Sequence, residues 1–409
     1  MEDSRSQFFD VIVIGAGVMG SSTAYQTAKL GLKTLLLEQF DFLHHRGSSH
    51  GESRTIRATY PEEYYSGMVI ESSRLWEELE AEIGYKVYFK TTQFDMGPSD
   101  NKSLQAVVSS CRKNSIPFRV LDVDEVLKEY SGLFQLPEGW IGVATPDGGV
   151  LKPTKAVAMF QTLASRRGAV LKDGTEVLNI EKDKENGEIV VFARDGGHFR
   201  SRKCVITVGS WTKTLIEKVR GLTLPIQPLE TSVVYWKINP GYEDKFTIEN
   251  GFPTFASYGD PYIYGTPALE FPGLIKIPVH GGRACAPNER TWEPAPEMVN
   301  ALRDWIKGKL GDAVDCDKPV LTQSCMYSMT PDEDFVIDFL GGEFGKDAVV
   351  AGGFSGHGFK MAPVVGRITA EMVASGVADG VDLTHFRIAR FEGNFRGNFK
   401  DFEDQVKSH

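Results

Sequence analysis

No run of apolar residues in this 409-residue chain approaches the ~20 that a membrane-spanning helix needs. Cysteine is scarce. The five present, Cys111, Cys204, Cys285, Cys316 and Cys325, are odd in number and include no C-x-x-C. Neither a disulfide framework nor a zinc site is indicated, and a reducing compartment fits best. Long runs of one charge are also missing. The formal net charge is -10, and the basic clusters Ser165–Gly168 and Phe199–Lys203 are short. That balance argues against nucleic acid or an anionic membrane as the main partner. The histidines form no H-E-x-x-H, so no metal is expected, and no G-x-S-x-G elbow marks a serine hydrolase. The first strand starts so near Met1 that a secretory signal is not expected. The final "QVKSH" would read Ser-His-Leu with one more residue, which keeps a peroxisomal address open beside a cytoplasmic one.

What is present is a globular composition, 41% hydrophobic and 24% charged, in a chain long enough for two or three domains. "DVIVIGAGVMGSSTAYQTAKLGLKTLLLE", from Asp10 to Glu38, reads as a strand over Phe9–Ile14, a helix from about Met19 to Leu30, and a second strand. This start implies a parallel sheet with helices on both faces, a Rossmann-type α/β unit. Gly15, Gly17 and Gly20 form G-x-G-x-x-G. The first glycine permits the turn, the second lets backbone approach a pyrophosphate, and the third lets the helix pack on the strand. Ala16, Val18 and Met19 complete that loop. Glu38, followed by Gln39, closes the second strand where an acid bonds ribose hydroxyls. An acid there disfavours NADP but does not separate NAD from FAD.

Downstream, His44–Tyr60 reads as a polar loop that becomes helix near Tyr64–Ile83. Lys86–Gly97 alternates like a half-buried strand. "TPDGGVLKP", Thr145–Pro153, reads as punctuation and a domain crossing. Helix resumes after it, and Lys203–Trp211 is a buried strand. Pro228–Lys318 holds aromatic strands that suggest an antiparallel sheet domain. Lys346–Val373 repeats the strand–turn–helix plan of the N-terminus. The division that follows is a discontinuous cofactor domain of 1–88, 151–226 and 325–409, with a substrate domain of 89–150 and 227–324. A flavin needs later chain segments to cover its ring. Gln323–Asp338 and the glycine-rich Gly352–Pro363, with His357 and Lys360, are suited to that.

With these segments in view, the chain resembles the monomeric sarcosine oxidase family of flavoproteins, in wording nearest to plant-type sarcosine/pipecolate oxidases. The motifs that carry the likeness are Gly15–Gly20, "GSSHGESRTIR" at Gly47–Arg57, "CMYSMTPDEDFVID" at Cys325–Asp338 and "GFSGHGFK" at Gly353–Lys360. The resemblance implies a two-domain glutathione-reductase-like or D-amino acid oxidase-like fold, FAD, use of O2 and release of hydrogen peroxide. It implies that Cys325 bonds covalently to the flavin, chemistry that needs a thiolate. By the same likeness Arg57 and Lys360 hold a substrate carboxylate, and Lys276 activates oxygen. His280, Tyr264, Tyr327 and His357 line the substrate cavity, and Arg54 and His50 face the flavin. Gly47, Ser48, Ser49, Ser53, Val177, Gly209, Trp211, Phe354, Gly356 and Gly358 complete the cofactor set.

Taken singly, each residue has a plainer reading. Cys325 could be a small buried hydrophobe, Arg57 and Lys360 could be surface ion-paired groups, and Lys276 a solvent-facing strand lysine. Tyr264 could be an ordinary strand aromatic. The function implied is oxidation of a small secondary amino acid such as sarcosine or L-pipecolate, with hydride passing to flavin and an imine formed. The expected partners are the amine and O2 alone, and the expected state is a monomer. The alternatives are the same chemistry on a larger N-methyl or cyclic amine, an NAD-dependent dehydrogenase, and a flavoprotein without catalytic activity.

Overall fold

The apolar run "FFDVIVI" forms the strand Phe8–Ile14, fully buried over its last four residues, because it is paired on both edges and covered on both faces. The computed structural model describes residues 8–402. The first sheet runs, in spatial order, Val336–Phe339, Ala348–Gly352, His198–Ile206, Phe8–Ile14, Thr34–Leu37 and Val170–Lys172. All neighbours are parallel except the outermost Val336–Phe339. A hairpin, Val177–Lys182 with Ile189–Ala193, joins antiparallel to His198–Ile206. On one face the helices Val18–Lys29, Pro153–Arg166 and Ala362–Ser375 pack together. Contact there is close: a Cβ at Gly366 would collide with Ser22 Oγ, and Thr23 Oγ1 lies 2.8 Å from Thr369 Oγ1.

Two further sheets stand beside the first. One contains Ile263–Gly265, Thr254–Ser257, Tyr88–Pro98, Trp140–Leu151 and Arg54–Arg57 in that order, with Arg119–Leu121 also on Trp140–Leu151. The other is antiparallel throughout and is built on Gln227–Ile238, which pairs with Leu274–Lys276, Arg283–Ala284, Val314–Asp315 and Leu321–Met329. Between them Phe94, Phe134, Trp236, Phe252 and Phe255 form an aromatic core, each at most 2% exposed. Rings of this size contribute most of the buried apolar area. Among the described residues no helix is long and apolar enough to cross a membrane, and no group of three or more His, Cys, Asp or Glu converges as a metal site.

Two segments differ from expectation. Arg54–Arg57 is a strand rather than loop, antiparallel to Gly148–Leu151, with Ile56 buried. The flanking glycines and serines mask its short alternation. Thr145–Pro153 is not a loop: its first seven residues run inside the strand Trp140–Leu151, and its proline starts the helix that packs on Val18–Lys29. Gly148 and Gly149 are there because strands crowd them. A Cβ would lie 3.0 Å from Gln93 N at the first and 2.6 Å from Phe89 O at the second. The boundary drawn between residues 324 and 325 falls within Leu321–Met329, which pairs from Gln227↔Met329 to Tyr235↔Leu321. Arg54–Arg57 and Leu321–Met329 thus bring Arg54, Arg57, Cys325 and Tyr327 to where the sheets meet.

A candidate active site where the sheets meet

Gly15 adopts φ +93, and a Cβ there would come within 2.6 Å of Thr207 O, so the turn requires glycine. A Cβ at Gly20 would collide with Gly15 O, which explains the third glycine as helix packing. The helix beginning at Val18 has no side-chain cap on Gly17 and no acid in its first turn. Its positive end is therefore available to an anion. Glu38, 5% exposed, accepts from Ala16 N–H at 2.8 Å and from Phe40 N–H at 3.1 Å. Ser49 Oγ accepts from Val18 N–H at 3.0 Å.

One cleft is lined by Gly15–Met19, Glu38, Gln39, Gly47, Ser48, Ser49, Arg54, Val177, Gly209, Trp211, Cys325, Tyr327, Phe354, Gly356 and Gly358. Segments 300 residues apart in sequence thus share one wall. A helix end with no acid in its first turn, a buried acid and a long cleft suit a dinucleotide. Gly20, His50, Ser53, His357 and Lys360 are not part of that wall. His50 is 5% exposed and neither ring nitrogen has a hydrogen bond, while burial first, then Arg54, pushes its pKa down to about 3. An orphaned buried imidazole fits a site built for a further polar group. Thr175 and Glu176 also line the cleft, and no pattern in the sequence marks them; Phe359, also there, stands within the "GFSGHGFK" motif.

Arg54 is fixed by carbonyls: Nη1 donates to Ser53 O at 2.7 Å, and Nη2 to Ser48 O at 3.0 Å and His50 O at 2.9 Å. Nη2 also lies 3.4 Å from Cys325 Sγ. Cys325 is 4% exposed, opposite Thr231 in the strand pair. Lys276 is 1% exposed and does not face solvent, because the strand Leu274–Lys276 is covered on both sides; Ile275 and Ile277 are buried too. Its Nζ donates to Ser53 O at 3.1 Å and Ser53 Oγ at 3.0 Å and sits 5.6 Å from the Tyr264 ring. Burial, then the Arg54 charge, pulls its pKa down to about 7.

Two further cations share one aromatic ring. Arg57 and Lys360 each lie 5.2 Å from the centre of Tyr60. Arg57 Nη2 donates to Tyr262 Oη at 3.0 Å, and Nη1 donates to Thr59 O. Lys360 Nζ donates to Tyr60 Oη and to His357 O, both at 2.8 Å. Neither cation has a carboxylate within ion-pair distance among the described residues. Burial, then the Arg57 charge, lowers the Lys360 pKa well below that of a free lysine. Beside them His280 Nδ1 is 3.1 Å from Tyr327 Oη, with the rings of Tyr262, Tyr264 and Tyr327 centred 5.4, 6.2 and 5.2 Å from its own. Burial and the charges of Lys360 and Arg57 push His280 down to about 3, so it is neutral. Gly356 leaves room for this cluster: a Cβ would lie 2.7 Å from the Tyr327 ring.

Sequence reading missed Tyr60, Tyr262 and Asp95. Tyr262 was legible, since it stands two residues from Tyr264 and shares its face. Asp95 was not. Alternation puts Gln93 and Asp95 on a polar, outward face, whereas they are 1% and 0% exposed and bonded to each other at 3.0 Å.

Residues 10–372 match the family described as FAD dependent oxidoreductase. The chain is 60% identical to the probable sarcosine oxidase of Arabidopsis thaliana over 99% of this chain and 98% of that one. It is 35% identical to the peroxisomal sarcosine oxidase of Homo sapiens over 95% and 97% of the two chains. The open form of NikD, an unusual amino acid oxidase essential for nikkomycin biosynthesis, shares the fold with TM-score 0.80 at 23% identity, covering 93% of this chain and 98% of that chain.

Proposed function

The chain belongs to the FAD-dependent oxidoreductase family, and from that premise we propose that it oxidises small secondary amino acids, sarcosine and L-pipecolate among them, with O2 as acceptor and hydrogen peroxide as product. The observation that carries this reading is the pair Arg57 and Lys360 on one ring beside a neutral aromatic cavity, neither of them in an ion pair; the one buried acid that acts on Arg57, Asp95, is itself pushed by burial toward its uncharged form. An enclosed cation is costly without an anion, and a carboxylate supplies one. The cavity then confines the rest of a small amine among Tyr262, Tyr264, His280 and Tyr327. A site already holding two cations disfavours a third, so the amine is held neutral and able to give up electrons.

Bound FAD supplies the acceptor for the substrate's hydride and returns the electrons to O2. Gly15–Met19 and the helix end at Val18 would hold its pyrophosphate and Glu38 its ribose. Lys276, enclosed and hydrogen-bonded to Ser53, would stabilise the negative charge that develops on oxygen. The human relative's name supports work in the peroxisome, and a Bacillus relative 32% identical to this chain, named monomeric sarcosine oxidase, supports a monomer. The "QVKSH" terminus lies outside the described residues.

The test is anaerobic. Mixing the yellow protein with sarcosine, L-pipecolate, L-proline or N-methyltryptophan should bleach the band near ~450 nm with at least one of the first two. A yellow protein that none of them bleaches would overturn the small-substrate reading. We also infer that Cys325 carries FAD covalently, supported by its enclosure at 4% exposure beside Arg54. On acid precipitation the colour should stay with wild-type protein and move to the supernatant for Cys325→Ala. Colour released equally from both proteins would show that no such bond exists.

A further inference from the structure

We propose that the C-terminal segment 384–400 is a strap that sets the hydrogen-bonding state of the substrate anchor, by holding the carbonyl of Glu333 against His357. The proposal rests on the reading above that Lys360 binds a carboxylate.

Glu333 has φ +58, a left-handed conformation that is costly for a residue with a side chain. Such a backbone persists only where its surroundings over-determine it. Both neighbours are pinned by the strap. Asp332 takes a forked pair from Arg390, with Nε to Oδ2 at 2.8 Å and Nη2 to Oδ1 at 3.3 Å, the two side chains being 5% and 0% exposed. Asn398 N–H adds a bond to Asp332 Oδ2 at 2.8 Å. Asp334 accepts from Asn398 Nδ2 at 2.7 Å, Tyr64 Oη at 2.7 Å and Tyr65 Oη at 3.0 Å, with Lys400 Nζ at 3.4 Å. Arg390 Nη2 also donates to Asp334 O at 2.9 Å, and Lys400 bonds Glu62 at 2.5 Å. Two enclosed carboxylates are an expensive way to close a loop. They are explained if the loop between them must not move.

What the loop presents is Glu333 O, 3.0 Å from His357 Nε2. A carbonyl only accepts, so Nε2 carries the proton of the neutral imidazole. Nδ1 is then a lone pair and accepts from Tyr60 Oη at 3.1 Å. The Tyr60 oxygen is left to accept from Lys360 Nζ at 2.8 Å. With the proton on Nδ1 instead, Tyr60 would accept from the ring and its own hydrogen would compete with the lysine. The orientation of three successive bonds, ending at Lys360, thus traces to the strap. Arg390 and Asn398 are positioning residues.

The holoenzyme labelled with 15N in histidine tests this. Ring shifts of His357, assigned by difference against His357→Gln, report which nitrogen is protonated. Wild type should show the Nε2–H form alone. Arg390→Met, and the milder Asn398→Ala should the first fail to fold, should show both tautomers. Each should also bind furan-2-carboxylate, followed through the flavin spectrum, about ten-fold more weakly. Arg390→Lys should recover part of both effects. A proton on Nδ1 in wild type, or an unchanged tautomer in the folded variants, overturns the proposal. Unchanged affinity in the strap variants, with a loss in Arg57→Met, overturns this proposal alone. Unchanged affinity in all of them, Arg57→Met included, overturns the anchor reading as well.

Discussion

Lys276→Met should slow reoxidation of the reduced protein by O2 by roughly two to three orders of magnitude, and change the rate of reduction by substrate less than about two-fold. Methionine fills nearly the same space in the enclosed site, so the main loss is one charge. That charge is hydrogen-bonded to the Ser53 carbonyl and hydroxyl and feels the buried Glu270 carboxylate, with no carboxylate in ion-pair range among the described residues. It is therefore not neutralised before oxygen arrives. The pH dependence follows in sign. Burial and Arg54 place the lysine's pKa at about 7, so the cation predominates below that pH and is lost above it. Wild-type reoxidation should fall as pH rises through about 7, and the Met variant should be flat over the same range. Stopped-flow mixing of reduced protein with O2 measures both. Equal reoxidation rates in the two proteins would remove Lys276 from the reaction.

Arg57→Met should lower kcat/KM for an amino acid substrate by about two to three orders of magnitude, the usual cost of truncating one partner of an enclosed charge pair. The loss should appear mainly in the substrate concentration needed for half-maximal flavin reduction. Arg57→Lys should lose about ten-fold, because it keeps the charge and gives up the fork. A secondary amine without a carboxylate should be oxidised poorly by wild type and no worse by the variant. That comparison separates loss of the anchor from damage to the cavity, where Tyr262 also gives up its bond from Arg57. An equal loss with the amine lacking a carboxylate would show that Arg57 shapes the pocket rather than holding an anion.

Much of the site could be read from sequence because backbone needs dictate particular residues. Gly15 must be glycine to hold its turn, and the acid at Glu38 marks the end of the second strand. Arg54 and Arg57, Cys325 and Tyr327, and Lys360 stand in short motifs, so their types were visible. What could not be read was which faces are covered. Lys276 and Asp95 obey the alternation of half-exposed strands yet lie inside, because Ser53 and Tyr264 cover the first, and Arg57, Gln93 and Cys111 surround the second, where solvent would otherwise be. The role of Thr145–Pro153 was hidden for a related reason: glycines required by crowding look the same as glycines required by a turn. Tyr60 sits in a segment with no periodicity, and its place between two cations comes only from tertiary packing.

The strand Leu321–Met329 has a consequence for how this scaffold can change. Cys325 and Tyr327 are two residues apart on it, on the same face, and every residue from Leu321 to Met329 is matched to a partner in Gln227–Tyr235. Deleting or inserting a single residue between Leu321 and Cys325, with the pairing before it kept, would turn both side chains to the opposite face at once. Cys325 and Tyr327 are inherited together, as one length-locked cassette. New substrate ranges would then have to come from side-chain exchange elsewhere in the cavity wall, as at Tyr262 and Tyr264, while this strand is kept unaltered.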